Sequence, residues 1–147
     1  MKPLVDHIHI TVNDLPRAEV FYDKLLPLIG FNIKNKEIAE VPEHKYKIIE
    51  YHSKYMSFGI INPRVEFRDI KINRRRPGTI HHIAFRADSK NEVDEIYNKI
   101  KKLNIKIVND PKYYKEYCPD YYAFFFKDSE NIEYEIVHFN REKYFDE

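Results

Sequence analysis

The chain carries the same message twice. Laying HIHITVNDLPRAEVFYDKLL over HIAFRADSKNEVDEIYNKIK sets His7 on His82, an offset of 75, with no gap over 20 positions. In that register Ile8 meets Ile83, Ile10 meets Phe85, Ala18 meets Val93, Phe21 meets Ile96, Tyr22 meets Tyr97 and Leu25 meets Ile100. The apolar positions coincide, so one supersecondary unit is used twice, and that constrains the fold before any other feature does.

Within each copy the hydrophobic period changes from two to about 3.6, as it does when a strand runs into an amphipathic helix. Residues 7–12 and 82–87 alternate. Ile8, Ile10 and Val12, like Ile83, Phe85 and Ala87, take one face, while the other receives His7, His9 and Thr11, or His82, Ala84 and Arg86. Ser89 followed by Glu92 forms a capping box, and Asn13, Asp14 and Pro16 offer a cap and an early-turn proline for the first helix. Gly30 and Asn104, two residue types that tolerate the left-handed conformation, close the helices, and alternating strands are predicted at 31–36 and 105–108. YKIIEY and YMSFGII in the first half, YYAFFF and IEYEIV in the second, have the aromatic and β-branched content of strands.

Each half therefore reads βαβββ, and the chain is an α+β protein of two tandem modules. Module one covers about 4–63 and module two about 80–140, within a single domain spanning 1–147. The polar stretch at about 64–79, with Pro63 before it and the Pro77-Gly78 turn signal inside it, links them. The tail after Asn140 is read as peripheral.

Composition removes several classes of function. A single cysteine, Cys118, excludes an internal disulfide and a Cys-rich zinc module, and points to a reducing, cytoplasmic setting. Lys and Arg number 25 against 24 Asp and Glu, so the chain lacks the field of a dedicated nucleic-acid binder. No apolar run suits a membrane span or an export signal. With 3 Gly and no phosphate-cradling loop, nucleotide-binding folds built on a glycine-rich turn are disfavoured.

Three segments carry a resemblance: DHIHITV with its FY-containing helix, RRRPGTIHHIAFRAD before the second helix, and DSENIEYEIV, an aspartate-containing turn leading into a strand with an inward glutamate. In this order and at the repeat spacing they resemble the vicinal oxygen chelate superfamily, which includes glyoxalase I, bleomycin- and fosfomycin-resistance proteins and extradiol dioxygenases. The resemblance implies two modules forming one curved mixed-sheet cleft with helices outside. It also implies a divalent metal, one of Fe, Mn, Co, Ni or Zn, held by His7, His82 and Glu135, because two imidazoles and a carboxylate suit any of these ions. The expected activity is that of a glyoxalase-like metalloenzyme, of lyase or dioxygenase type, acting on a small substrate with vicinal oxygens. The alternative is a non-catalytic drug-binding protein of bleomycin-resistance type. Gly59 stands at the repeat position of Glu135, where glyoxalase I commonly carries a fourth ligand, so weak action on the methylglyoxal-glutathione adduct is expected.

Around that set, Glu133 shares a face with Glu135 and is a candidate to divide acid and base work with it. His9 and Arg86 share the inward face and are candidates for substrate binding. His81 is expected to make a structural hydrogen bond, pointing away from His82. Arg74, Arg75 and Arg76 read as a solvated charge run that could grip an anion. Tyr113, Tyr114, Tyr117, Tyr121 and Tyr122 surround Cys118 as core or rim. Aromatic residues on both faces of YYAFFF and YMSFGII predict a homodimer whose metal site lies within one chain.

Overall fold

The computed structural model describes residues 4–145. They fall into two compact units, one ending at Ile72 and one beginning at Asn73. Each unit is a four-stranded mixed sheet carrying a helix, so the tandem βαβββ reading holds.

In the first unit β1 (His7–Thr11), α1 (Leu15–Leu25), β2 (Glu37–Val41), β3 (Tyr46–His52) and β4 (Ser57–Ile61) form a sheet of order β1-β4-β3-β2. The second unit repeats the plan with β5 (Ile83–Arg86), α2 (Lys90–Lys102), β6 (Lys106–Tyr113), β7 (Tyr122–Lys127) and β8 (Glu133–His138) in the order β5-β8-β7-β6. The first strand of each unit lies parallel to the last, and the other pairs are antiparallel. A short helix, α3 (Arg141–Tyr144), follows β8.

The helix ends obey local chemistry. The Asp14 side chain accepts the Arg17 N–H at 2.9 Å and satisfies one of the donors that the first turn leaves free. Ser89 accepts from Glu92 N at 3.1 Å, while the Glu92 carboxylate reaches back to Asp88 N at 2.6 Å. α1 tightens into a 3-10 turn at Leu26–Ile29, which Gly30 closes with φ 95°. Asn104 does the same after α2 with φ 56°.

The apolar face of each strand packs under its helix. Tyr22 of α1 lies against Phe58 of β4 with ring centroids 5.3 Å apart, and Ile10, Ile49, Tyr51 and Ile60 are buried around them. Val93, Ile96 and Ile100 of α2 are buried together with Phe124, Phe126, Tyr134 and Ile136. Each such side chain contributes about 1.5–3 kcal/mol on leaving water. Period-two alternation then sends the intervening residues of every strand to the opposite, open face of its sheet.

Two local expectations are corrected. Residues 31–36 do not form a strand. The Asn32 side chain accepts the Lys34 N–H at 3.0 Å and starts a 3-10 turn over Ile33–Asn35, and the Lys36 ammonium is drawn onto Glu19 (2.5 Å) and Asp23 (2.8 Å) of α1. The strand begins only at Glu37. In the second unit the strand predicted at 105–108 extends to Tyr113 and shifts register against β7 between Ile107 and Asn109 and again between Asn109 and Lys112. Bulges of this kind re-aim side chains. Asn109 opposite Phe125 and Lys112 opposite Ala123 thereby share one face although their numbers differ in parity.

Candidate functional site

Glu135 sits in the middle of β8, paired in register with Ala84 of β5 and Phe125 of β7. The turn before the strand fixes that register. The Asp128 carboxylate accepts from Glu130 N and Ile132 N, both at 2.8 Å, and Asn131 takes φ 68° to close the turn. The strand then alternates: Tyr134 and Ile136 enter the core, and Glu133, Glu135 and Val137 face the open side.

There the second unit encloses a cavity of about 450 Å³, lined by Arg74, His81, His82, Asn109, Tyr114, Tyr117, Tyr121, Phe125, Glu133 and Glu135. Glu135 is 2% exposed. One carboxylate oxygen, Oε1, accepts the Tyr121 hydroxyl at 2.7 Å. The other, Oε2, lies 3.5 Å from Nε2 of His82. Burial raises the Glu135 pKa above the usual carboxylate range, the Tyr121 hydrogen bond opposes that shift, and the neighbouring Glu133 adds to it. Glu133, 7% exposed, is held by the Arg74 guanidinium. Tyr114 is 7% exposed, and its buried hydroxyl has no hydrogen-bond partner.

His82 precedes β5 instead of lying inside it. Its Nδ1 is 2.8 Å from Nδ1 of His81, so His81 does make the expected hydrogen bond but makes it to His82, and it lines the cavity instead of pointing away. Of the arginine run, Arg74 lines the cavity and pairs with Glu133, which the tripeptide alone did not distinguish from its neighbours. Arg86 is exposed and lines a second, more apolar hollow of about 530 Å³ with Tyr117, Cys118, Phe139 and Arg141. Burial and the nearby Asp120 raise the Cys118 pKa, which keeps the thiol protonated and argues against a nucleophile.

The first unit places His7 and His9 side by side on the open face of β1, with ring centroids 4.8 Å apart. His7 Nδ1 is 2.9 Å from the Asp6 carboxylate, and His9 Nε2 is 2.9 Å from Oε1 of Glu50. Gly59 is the cross-strand partner of both His9 and Glu50. The space above it is not vacant, because a Cβ built there would stand 2.6 Å from Cδ2 of His9. The His9 ring covers Gly59 on its way to Glu50, and the glycine itself offers no side chain to a metal.

Among the described residues of either unit taken by itself, no three His, Cys, Asp or Glu side chains gather closely enough to hold a metal. The second unit supplies a pair, His82 and Glu135. Their 3.5 Å donor separation is too long for a good hydrogen bond and is one that a single ion can bridge with bonds of about 2.0–2.2 Å. An imidazole and a carboxylate, each with a further partner outside the pair, fit a divalent cation chemically.

Comparison with known proteins agrees with the fold. The family model described as Glyoxalase/Bleomycin resistance protein/Dioxygenase superfamily matches residues 4–136. A candidate glyoxalase from Bacillus halodurans is similar at 26% identity over 92% of this chain and 96% of its own, with a TM-score of 0.69. A glyoxalase family protein from Enterococcus faecalis shares the fold at 14% identity, with coverages of 93% and 98% and a TM-score of 0.70. So does the fosfomycin resistance protein FosX of Listeria monocytogenes, solved with Mn(II) and sulfate, at 19% identity, 97% coverage of both chains and a TM-score of 0.63. No curated protein matches the sequence.

Proposed function

The chain belongs to the Glyoxalase/Bleomycin resistance protein/Dioxygenase superfamily, and from that premise we propose that it is a metal-dependent enzyme acting on a small molecule with two adjacent oxygens. The single observation that carries the reading is the His82–Glu135 pair, whose donors face one another across 3.5 Å at the wall of a cavity large enough for a small substrate. The Mn(II) bound by FosX supports a divalent ion as the cofactor.

When bound, such an ion supplies Lewis acidity to a substrate oxygen. The chain's own residues do the rest. Tyr117, Tyr121 and Phe125 line the cavity with aromatic surface, which displaces water and strengthens every charge interaction inside it. In this proposal Glu133, held by Arg74, takes a proton from the bound substrate, a role supported by the engagement of Glu135 with His82 and Tyr121. Sequestration of a ligand without chemistry would leave this arrangement of two buried carboxylates unexplained. We also propose a homodimer, a state that light scattering can test.

Isothermal titration of the metal-free protein with Mn(II), Co(II), Ni(II) and Zn(II) tests the reading. One ion per chain is expected, with affinity reduced more than about 100-fold in His82→Ala through loss of a direct ligand. Equal affinity in the two proteins would refute the assignment. Turnover by the loaded protein of catechols, hydroxyketones or epoxides would separate enzyme from binder.

A further inference from the structure

We propose that Tyr121 and His81 are positioning residues that hold Glu135 and His82 ready to bind a metal, with Tyr121 limiting Glu135 to a single coordinating oxygen. The inference deepens the functional reading above and rests on it. It starts from the fact that both ligand candidates of the second unit are already half engaged. Tyr121 donates its hydroxyl to Oε1 of Glu135 at 2.7 Å, which leaves Oε2 as the oxygen turned to His82. A strong donor on one oxygen occupies one of its two lone pairs and fixes the plane of the carboxylate, which favours coordination through the other oxygen.

The donor is secured from three sides. The Tyr121 ring stacks on Phe139 at 5.1 Å and meets Tyr117 edge-on at 5.2 Å, so its packing sets where the hydroxyl sits. Its backbone accepts from Tyr114 N at 2.8 Å and donates to Cys118 O at 3.1 Å.

His82 receives the matching treatment. With the His81 and His82 Nδ1 atoms 2.8 Å apart, a proton on His82 Nδ1 donated to His81 leaves the His82 Nε2 lone pair free, and Nε2 is the atom turned to Glu135. A ligating histidine commonly has its second nitrogen engaged in this way, and outer partners of this kind are worth about 10–100-fold in metal affinity.

Neither residue touches the ion in this scheme, so the test must read coordination as well as affinity. Free Mn(II) measured by electron paramagnetic resonance gives the affinity, and the visible spectrum of the Co(II)-loaded protein reports coordination number. In Tyr121→Phe, which keeps the ring contacts, Mn(II) affinity is expected to fall about 10–100-fold. The Co(II) absorption should weaken as Glu135 becomes bidentate and the coordination number rises. His81→Leu should lose affinity on the same scale, and His81→Asn, which restores an acceptor, should recover part of it. Melting of each variant in chelator verifies folding, and Tyr121→Leu replaces the phenylalanine variant should that one not fold. A folded Tyr121→Phe protein with wild-type affinity and an unchanged Co(II) spectrum overturns the role of Tyr121, and full affinity in His81→Leu overturns that of His81. Both results leave the metal-site reading standing. A wild-type protein that binds no Mn(II) overturns that reading and this inference together.

Discussion

Where the second module has Glu135 flanked across the sheet by Ala84 and Phe125, the first has Gly59 flanked by His9 and Glu50. The strands, their order and their directions are the same. What moved is the carboxylate, from the last strand of one module to the third strand of the other. The neighbours moved with it. Beside Glu135 the first strand offers only the methyl of Ala84, which leaves room for a cavity, whereas beside Gly59 the His9 ring lies flat over the backbone and reaches Glu50 at 2.9 Å. Each module therefore keeps a carboxylate at this level of its open face, Glu50 in the first and Glu135 in the second. The second builds a cavity of about 450 Å³ beside its carboxylate, lined among others by Asn109, Phe125 and Glu133 from its last three strands.

The sharpest way to break this contrast is to give position 59 a side chain. Gly59→Ala places a Cβ 2.6 Å from the His9 ring, a distance that no contact tolerates, and the ring must leave Glu50. A loss of about 1–3 kcal/mol in unfolding free energy is expected from overpacking and the broken hydrogen bond. In a His9→Ala background the same substitution should cost little, because the atoms it meets are gone. A double-mutant cycle by urea denaturation checks this. Additive costs would show that the strain lies in the backbone and not in His9.

That clash also marks the limit of what the sequence discloses. The repeat, the period switches and the caps at Ser89, Asp14, Gly30 and Asn104 are local signals, and all of them carry through to the structure. The glutamate of the repeated strand was legible because Glu135 stands in a strand whose alternation is clear. Tyr121, His81 and Arg74 were each singled out, but their roles were not legible. Tyr121 reaches Glu135 across 14 positions and Arg74 reaches Glu133 across 59, and periodicity carries no information about such pairings. Asn109 was missed altogether because two register shifts in β6 break the parity by which a face is assigned. Its only sequence signal was the polar Asn-Asp-Pro interruption of an otherwise apolar alternation. The strand predicted at 31–36 failed for a different reason: the Asn32 side chain competes for the backbone and wins locally.

A second comparison sets the charge of Glu135 against the missing charge at Gly59. Burial raises the Glu135 pKa above its ordinary value of 4.5, so in the metal-free protein the ionised form is the one that folding disfavours. The sign follows from linkage: stability from this group is fully present below the ordinary carboxylate range and is lost as pH rises through the raised value. Glu135→Gln imitates the protonated form and can still accept from Tyr121. In chelator at pH 7 it should therefore be more stable than wild type, by about 1 kcal/mol. The gain should disappear as the pH falls below the ordinary range. Metal binding by the variant should be lost at every pH. Thermal melts across pH 4–8 decide the matter, and a variant less stable than wild type at pH 7 would show that the ionised carboxylate has a stabilising partner.

Two buried tyrosines, one in each module, differ in what their hydroxyls hold. Tyr51 is 1% exposed and donates its hydroxyl to Asp23 at 2.8 Å, inside the network that also holds Lys36. Its counterpart in the repeat is Phe126, which packs without a hydroxyl in the second module. Tyr114 is 7% exposed and its hydroxyl is unpartnered, while burial and the nearby Glu135 push its pKa to about 12, so the group stays neutral. Removing one oxygen from each therefore removes different things. Tyr51→Phe takes away a hydrogen bond to a carboxylate and should cost about 1.5 kcal/mol, with Asp23 left to Lys36 alone. Tyr114→Phe takes away a buried polar atom that has nothing to bond to, and the ring keeps its edge-on contact with Phe125 at 5.5 Å. Its effect on the ligand-free protein should lie between zero and a gain of about 0.5 kcal/mol. Equal losses in the two variants would mean that Tyr114 has a partner in solution, and the cavity wall of the second module would then be held by a bond that the first module's plan does not contain.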